Sequence, residues 1–171
     1  MEQHEKFMRL ALAEATAALE AGDFPVGCVL VDDRRVLAGG RRINSGGEHA
    51  NELDHAEIIT LRDLLRKSPQ YELGGVTAYS TMEPCLMCYA TLLLSGIRKF
   101  VWAYEDIMGG GTNLPLGRLN PLYAGMEVVY VPHILRAESL QLFQDFFLRY
   151  SYWGDSALAR YTLAQKTEKQ P

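Results

Sequence analysis

A chain of 171 residues, 48% hydrophobic and 22% charged, is long enough for one domain with a buried core and has an ordinary globular balance. No apolar run approaches the roughly 20 residues of a membrane helix, and the polar opening Met1-Glu2-Gln3-His4-Glu5-Lys6 lacks the basic start and apolar centre of a secretory signal, so a cytoplasmic protein is expected. The formal net charge of −4 argues against a large polyanionic partner, because phosphate contacts draw on a basic face.

Phe7, Leu10, Ala11, Ala15, Ala18 and Leu19 recur at helical spacing and predict a helix over 3–21 that stops at Gly22. An apolar run over 24–31 and a second over 35–40 flank the turn Asp32-Asp33-Arg34, which reads as a hairpin. The stretch 41–53 is polar and loop-like, and Ile58, Leu61, Leu64 and Leu65 mark a helix that starts near Asp54 and ends by Pro69. A third strand is expected over 76–81, then a turn at Met82-Glu83-Pro84 and a helix over 85–95, with Pro84 at its start where a missing N–H costs nothing. A fourth strand over 99–104, a Gly-, Asn- and Pro-rich loop over 106–121, a fifth strand over 127–131 and a helix over 136–150 complete the pattern, and the end from Lys166 is polar. The fold class is α/β: one domain with a mixed five-stranded sheet and helices on both faces.

Three cysteines, Cys28, Cys85 and Cys88, cannot all pair within one chain, and a reducing compartment keeps them as thiols. Cys85 and Cys88 form a C-x-x-C, so metal binding and redox chemistry are the readings to weigh. Two short motifs, His55-Ala56-Glu57 and Pro84-Cys85-Leu86-Met87-Cys88, both fall at expected helix starts. A catalytic zinc takes three protein ligands and keeps a fourth position open. His55, Cys85 and Cys88 supply three, and helix N-termini favour thiolate over thiol. Glu57, two residues beyond His55, is placed to move protons between an attacking water and a leaving amine.

Each motif has a plainer reading. H-x-E triplets are common on surface helices, and C-x-x-C also serves redox pairs and four-ligand structural zinc sites. A redox pair usually follows the first strand of its domain, whereas this one follows the third. Cys28, which could in principle be the fourth ligand, sits in an apolar strand run and reads as a small core residue. The combination H-x-E with P-C-x-x-C is a known zinc-deaminase signature.

On these motifs, with the strand Phe24-Pro25-Val26-Gly27-Cys28-Val29-Leu30-Val31, Asn44, the stretch Thr81-Met82-Glu83-Pro84-Cys85-Leu86-Met87-Cys88 and Ser95-Gly96-Ile97, the chain resembles the cytidine deaminase-like superfamily. Within it the likeness is to the branch of tRNA adenosine, guanine and cytosine deaminases. The resemblance implies a three-layer α/β/α fold, a catalytic domain over 1–155 with a C-terminal tail over 156–171, a zinc cofactor and a homodimer, for which Tyr89, Leu92, Leu93 and the Phe-rich last helix are candidate contacts. It implies Asn44 as a pocket hydrogen-bonding residue, Pro25 and Val26 as pocket wall, the backbone N–H groups of Ala56 or Cys85 as donors to the substrate, and Trp153 and Asp155 as part of a closing segment.

Three functions follow. The favoured one is hydrolytic deamination of a free nucleobase or nucleoside of guanine or cytosine type. The alternative is a tRNA-specific adenosine deaminase making inosine in an anticodon loop, with Arg34, Arg35, Arg41 and Arg42 as phosphate contacts. The acidic net charge weighs against it, as do Asn51-Glu52-Leu53-Asp54 where the tRNA enzymes carry Asp-Pro-Thr-Ala, and the single basic residue, Arg149, soon after Phe146-Phe147. The third, a non-catalytic zinc module, has no use for Glu57.

Overall fold

The computed structural model describes residues 1–166; positions 167–171, within the polar end, lie outside the described residues. The elements are α1 (Glu2–Glu20), β1 (Gly27–Asp32), β2 (Arg35–Arg41), α2 (Ala56–Lys67), β3 (Val76–Met82), α3 (Leu86–Leu94), β4 (Lys99–Tyr104), α4 (Pro121–Ala124), β5 (Val129–Val131), α5 (Arg136–Arg149) and α6 (Ala157–Ala164). The strands form one mixed sheet in the order β2-β1-β3-β4-β5. The β1 strand pairs antiparallel with β2 and β3, while β3–β4 and β4–β5 are parallel. The parallel β3–β4 pair needs a crossover, which α3 provides.

Strand alternation sorts the core into two layers. Val29, Val31, Tyr79, Val101 and Ala103 meet Phe7, Met8, Ala11 and Leu12 of α1 on one face. Cys28, Leu30, Ala78, Phe100 and Trp102 belong to the other layer, with Leu61 and Leu64 of α2 and Tyr89, Leu92 and Leu93 of α3. Glycine is required where α1 crosses the sheet: a Cβ on Gly27 would lie 2.1 Å from the Ala11 carbonyl oxygen and 2.6 Å from the Ala15 nitrogen. Gly22, at φ 83°, closes α1 as the sequence predicts, with the Gly22 and Asp23 amides donating to Leu19 and Ala18 carbonyls.

Three boundaries differ from expectation. The first strand begins at Gly27, because the Val26 amide donates locally to the Phe24 carbonyl at 2.7 Å. The last strand shortens to Val129–Val131, the only part in register with Lys99–Val101 of β4. The stretch assigned to a C-terminal tail contains α6, capped by Ser156, whose Oγ accepts from the Ala159 amide. Leu158, Ala159 and Thr162 of that helix are buried, and Thr162 meets Tyr104 at 3.0 Å between hydroxyls.

Glu105, just past β4, fastens the last two helices to the sheet. It accepts from Arg136 Nε at 2.7 Å, from Arg136 Nη2 and from the Tyr161 hydroxyl at 2.7 Å, with His133 Nδ1 at 3.5 Å. Burial opposes its ionisation, but the Arg136 and Tyr161 hydrogen bonds outweigh burial and hold it down to about 2. A carboxylate so lowered stabilises the fold fully above its ordinary value and loses that contribution as pH falls toward its folded value. Glu105→Gln is therefore expected to cost roughly 1–3 kcal/mol near neutral pH. In denaturant melts, the gap between variant and wild type should shrink as pH falls from 4.5 toward 2; a gap independent of pH would contradict this.

Candidate functional site

The two motifs meet where α2 and α3 begin. His55 is the N-cap of α2 and Cys85 the N-cap of α3, both in extended backbone, and Cys88 lies in the first turn of α3. The first turns are fixed by the Ile59 amide donating to the His55 carbonyl at 3.0 Å and the Tyr89 amide to the Cys85 carbonyl at 2.8 Å. Nδ1 of His55 lies 3.5 Å from the sulfurs of both Cys85 and Cys88. The three candidate ligand atoms all fall within 4.8 Å of one another. One imidazole nitrogen and two thiols at this spacing suit a tetrahedral zinc with one open position. Cys28 is fully buried in the core layer and stands apart from this cluster.

The electrostatics favour a cation here. The Cys85 thiol is drawn down to about 4, first by its hydrogen bond with Cys88 and then by His55, against burial. Cys88 moves upward through the same bond and through burial. Burial works to lower the His55 pKa, yet the Cys85 hydrogen bond and the Glu57 charge outweigh it and raise it. Zinc would displace these protons and leave both sulfurs as thiolates.

Glu57 is 3% exposed and occupies the inward stripe of α2 with Leu61 and Leu64. Helical residues two apart face different sides. His55, as an extended N-cap, escapes that constraint, so both side chains border the same cleft. Ser80 Oγ donates to Glu57 Oε1 at 2.8 Å, leaving the second oxygen for other partners. Burial, then the nearby Cys85 sulfur, push the Glu57 carboxyl up.

The cleft beside these groups has a volume of about 170 Å³. Phe24, Val26, Met82, Tyr152 and Trp153 give it apolar and aromatic walls, and Arg42, Glu52, Glu83 and Asp106 add polar groups. Phe24 rests on Phe143, Phe146 and Phe147 of α5, with ring centroids 5.1, 5.2 and 5.9 Å away. Trp153, 47% exposed, lies in left-handed backbone at φ 54°.

Of the sequence-predicted residues, the structure brings together His55, Cys85, Cys88, Glu57, Val26, Ala56 and Trp153. Asn44, Asp155 and Pro25 are not in the cleft wall. Asn44, at φ 55°, donates instead to Asp54 Oδ2 at 2.7 Å and braces the loop before α2. Asp155 is exposed, and its carbonyl accepts from Arg160 at 2.6 Å. The four arginines do not make one open phosphate-binding face. Arg35 donates to the Tyr71 hydroxyl at 2.8 Å, Arg41 pairs with Glu14 at 3.4 Å, and the Arg42 side chain is only 2% exposed.

Sequence reasoning missed two groups. Ser80 carried a signal, a polar residue at a buried strand position facing α2. Glu52 carried none. Its Oε2 lies 3.6 Å from His55 Nε2 and 3.5 Å from Arg42 Nη2, and it accepts from the Tyr152 hydroxyl at 2.9 Å. A carboxylate on the far ring nitrogen of a metal-binding histidine fixes its orientation.

Residues 1–104 match the family described as the cytidine and deoxycytidylate deaminase zinc-binding region. The tRNA-specific adenosine deaminase of Bacillus subtilis is 30% identical over 147 residues, covering 86% of this chain and 90% of that protein. The enzyme of the same name from Haemophilus influenzae is 41% identical over 106 residues, 62% of this chain and 61% of its own length. Among solved structures, one from a study of tRNA:A34 deaminases superposes with a TM-score of 0.66 at 30% identity, covering 80% of this chain and 98% of that one. A guanine deaminase from Nitrosomonas europaea shares the fold at a TM-score of 0.65, with 20% identity and 83% of each chain.

These likenesses correct the favoured sequence reading. A free guanine- or cytosine-type base or nucleoside is the sequence expectation, from the stretch 51–54, the single basic residue after Phe146-Phe147 and the net charge of −4. Curated relatives at 30–41% identity are instead named for action on tRNA. Net charge sums over the whole surface, whereas recognition is set locally around a cleft.

Cys85→Ser is expected to lower zinc content below stoichiometric and to reduce the thermal midpoint together with it; a full complement of zinc in that variant would count against the ligand assignment. With three candidate zinc ligands converging at two helix starts and a family match across them, the chain belongs to the cytidine and deoxycytidylate deaminase zinc-binding family and is a zinc-dependent hydrolytic deaminase.

Proposed function

We propose that this enzyme is a tRNA-specific adenosine deaminase, converting an adenosine of an anticodon loop to inosine. The observation that carries this reading is the likeness over most of the chain to the Bacillus subtilis protein of that name. The cleft supports it: an unstacked base fits among apolar and aromatic side chains, with Trp153 at an exposed edge for a neighbouring base to stack on.

His55, Cys85 and Cys88 would hold the zinc. What zinc supplies when bound is a water of pKa about 7, able to attack near neutral pH. Glu57 performs the proton transfers. Its carboxylate takes a proton from the attacking water and delivers it to N1 as the oxygen joins C6. It then carries the second proton to the exocyclic nitrogen, the C6–N6 bond breaks, and ammonia leaves inosine behind. Ser80 keeps one Glu57 oxygen occupied and so orients the other. Val26, Ala56 and Trp153 border the base.

The proposal includes a cytoplasmic setting, in keeping with three free cysteines, and no described helix is long and apolar enough to cross a membrane. It also includes the homodimer implied by the resemblance, built from residues other than Tyr89, Leu92 and Leu93, which are buried within one chain.

The test is an anticodon stem-loop RNA with adenosine in the loop, assayed for inosine and ammonia in equal amounts. Release of ammonia from free guanine or cytosine, with no inosine in the RNA, would overturn the reading. Glu57→Gln should keep its zinc and lose about 100-fold or more in kcat; near wild-type turnover would remove Glu57 from the proton path.

A further inference from the structure

Arg42 is a buried cation that the zinc chemistry leaves without a task. It follows β2, its side chain is 2% exposed, and it borders the cleft. Nη2 donates to the Asn51 carbonyl at 2.5 Å and approaches Glu52 at 3.5 Å. Nη1 has no hydrogen-bond partner of good geometry among the described residues, although the Tyr152 hydroxyl lies beside the guanidinium. A buried guanidinium donor without an acceptor is unfavourable, and such groups concentrate where a ligand completes them. Among the described residues the other unpartnered buried side-chain nitrogen is Trp102 Nε1, which lies away from the cleft wall. Among the described residues, Arg42 is also the one arginine or lysine lining the cleft.

The guanidinium is held in place before any substrate arrives. Glu52 touches Arg42 on one side and His55 Nε2 on the other, and the Tyr152 hydroxyl secures Glu52 with contacts of 2.9 and 3.1 Å. One carboxylate thus fixes the spacing between a metal ligand and a free donor. A rigid planar guanidinium loses little freedom on forming one more hydrogen bond.

We propose that Arg42 is a specificity-determining residue, whose Nη1 donates a hydrogen bond to a neutral acceptor of the target nucleoside, a ring nitrogen or ribose oxygen outside the reacting amidine. A neutral acceptor suits it better than a phosphate. The guanidinium is buried and already faces a carboxylate, so a group must enter the cleft to reach it, and in an RNA substrate it is the unstacked nucleoside that enters. A site built to hydrogen-bond its substrate rejects analogues that leave the donor unpaired. The inference rests on the adenosine-in-RNA reading for the choice of probe.

The experiment compares wild type, Arg42→Lys, Arg42→Met and the double variant R42M/E52Q on one anticodon stem-loop RNA. Its target carries adenosine, 3-deazaadenosine, 7-deazaadenosine or 2′-deoxyadenosine. Arg42→Met should lower kcat/KM on adenosine by about 10- to 100-fold, with Arg42→Lys recovering part of the loss. One analogue should lower the wild-type value by a similar factor and be turned over alike by wild type and Arg42→Met, which identifies the acceptor. The double variant, which removes the orphaned carboxylate, keeps zinc content and melting cooperativity as controls on the fold.

Unchanged kcat/KM in Arg42→Met would overturn the proposal, as would a loss of equal size on adenosine and all three analogues. An equal loss accompanied by a shallower salt dependence would reassign Arg42 to a phosphate. If wild type makes no inosine but deaminates a free base, the tRNA reading fails alone. Arg42→Met is then assayed on that base and its deaza analogues with the same two outcomes.

Discussion

The metal site depends on a mismatch between helical geometry and the direction in which two side chains must point. Inside a helix, a histidine and a glutamate two residues apart would face opposite sides. Here the histidine stops short of the helix: His55 holds φ −67° and ψ 149°, and α2 winds only from Ala56. The cysteine pair uses the same device, with Cys85 extended at ψ 168° and Cys88 already in the first turn of α3. Two caps, each with one foot outside its helix, therefore bring an imidazole, two sulfurs and a carboxylate to one place. The sheet makes their meeting possible, because β3 is the strand where antiparallel pairing gives way to parallel pairing, and its end leads directly into α3.

Much of this frame is legible along the chain, and the reason differs from element to element. The helical stripe of α1, the hairpin around Asp33 and the stop at Gly22 follow from local spacing and turn chemistry alone. The three metal ligands are legible because zinc demands particular residue types at a particular spacing. Glu57 stands out further, as a carboxylate in a stripe otherwise occupied by Leu61 and Leu64. The α6 helix escapes notice because its eight residues are too few for an apolar stripe to repeat.

The outer wall of the cleft was not readable, and for a different reason. Asn44 sits at an expected sequence distance from His55, yet a loop conformation decides where its amide points, and here it turns to Asp54. Arg42 and Glu52 are ten residues apart in a stretch with no periodicity, and nothing in their spacing announces that they meet near His55. The arginines looked equivalent in the sequence; folding exposes some and encloses another. Charge counted over the entire chain misled for the same reason, since it cannot say which cation faces the reacting group.

The contact between Tyr152 and Glu52 joins segments a hundred residues apart. The candidate metal ligands lie between residues 55 and 88, far along the chain from the residues that rim the cleft. Tyr152 and Trp153, in the stretch between α5 and α6, supply the aromatic rim of the cleft. One carboxylate thus couples that rim to the His55 imidazole, so the segment that walls the cleft also bears on the orientation of a candidate metal ligand.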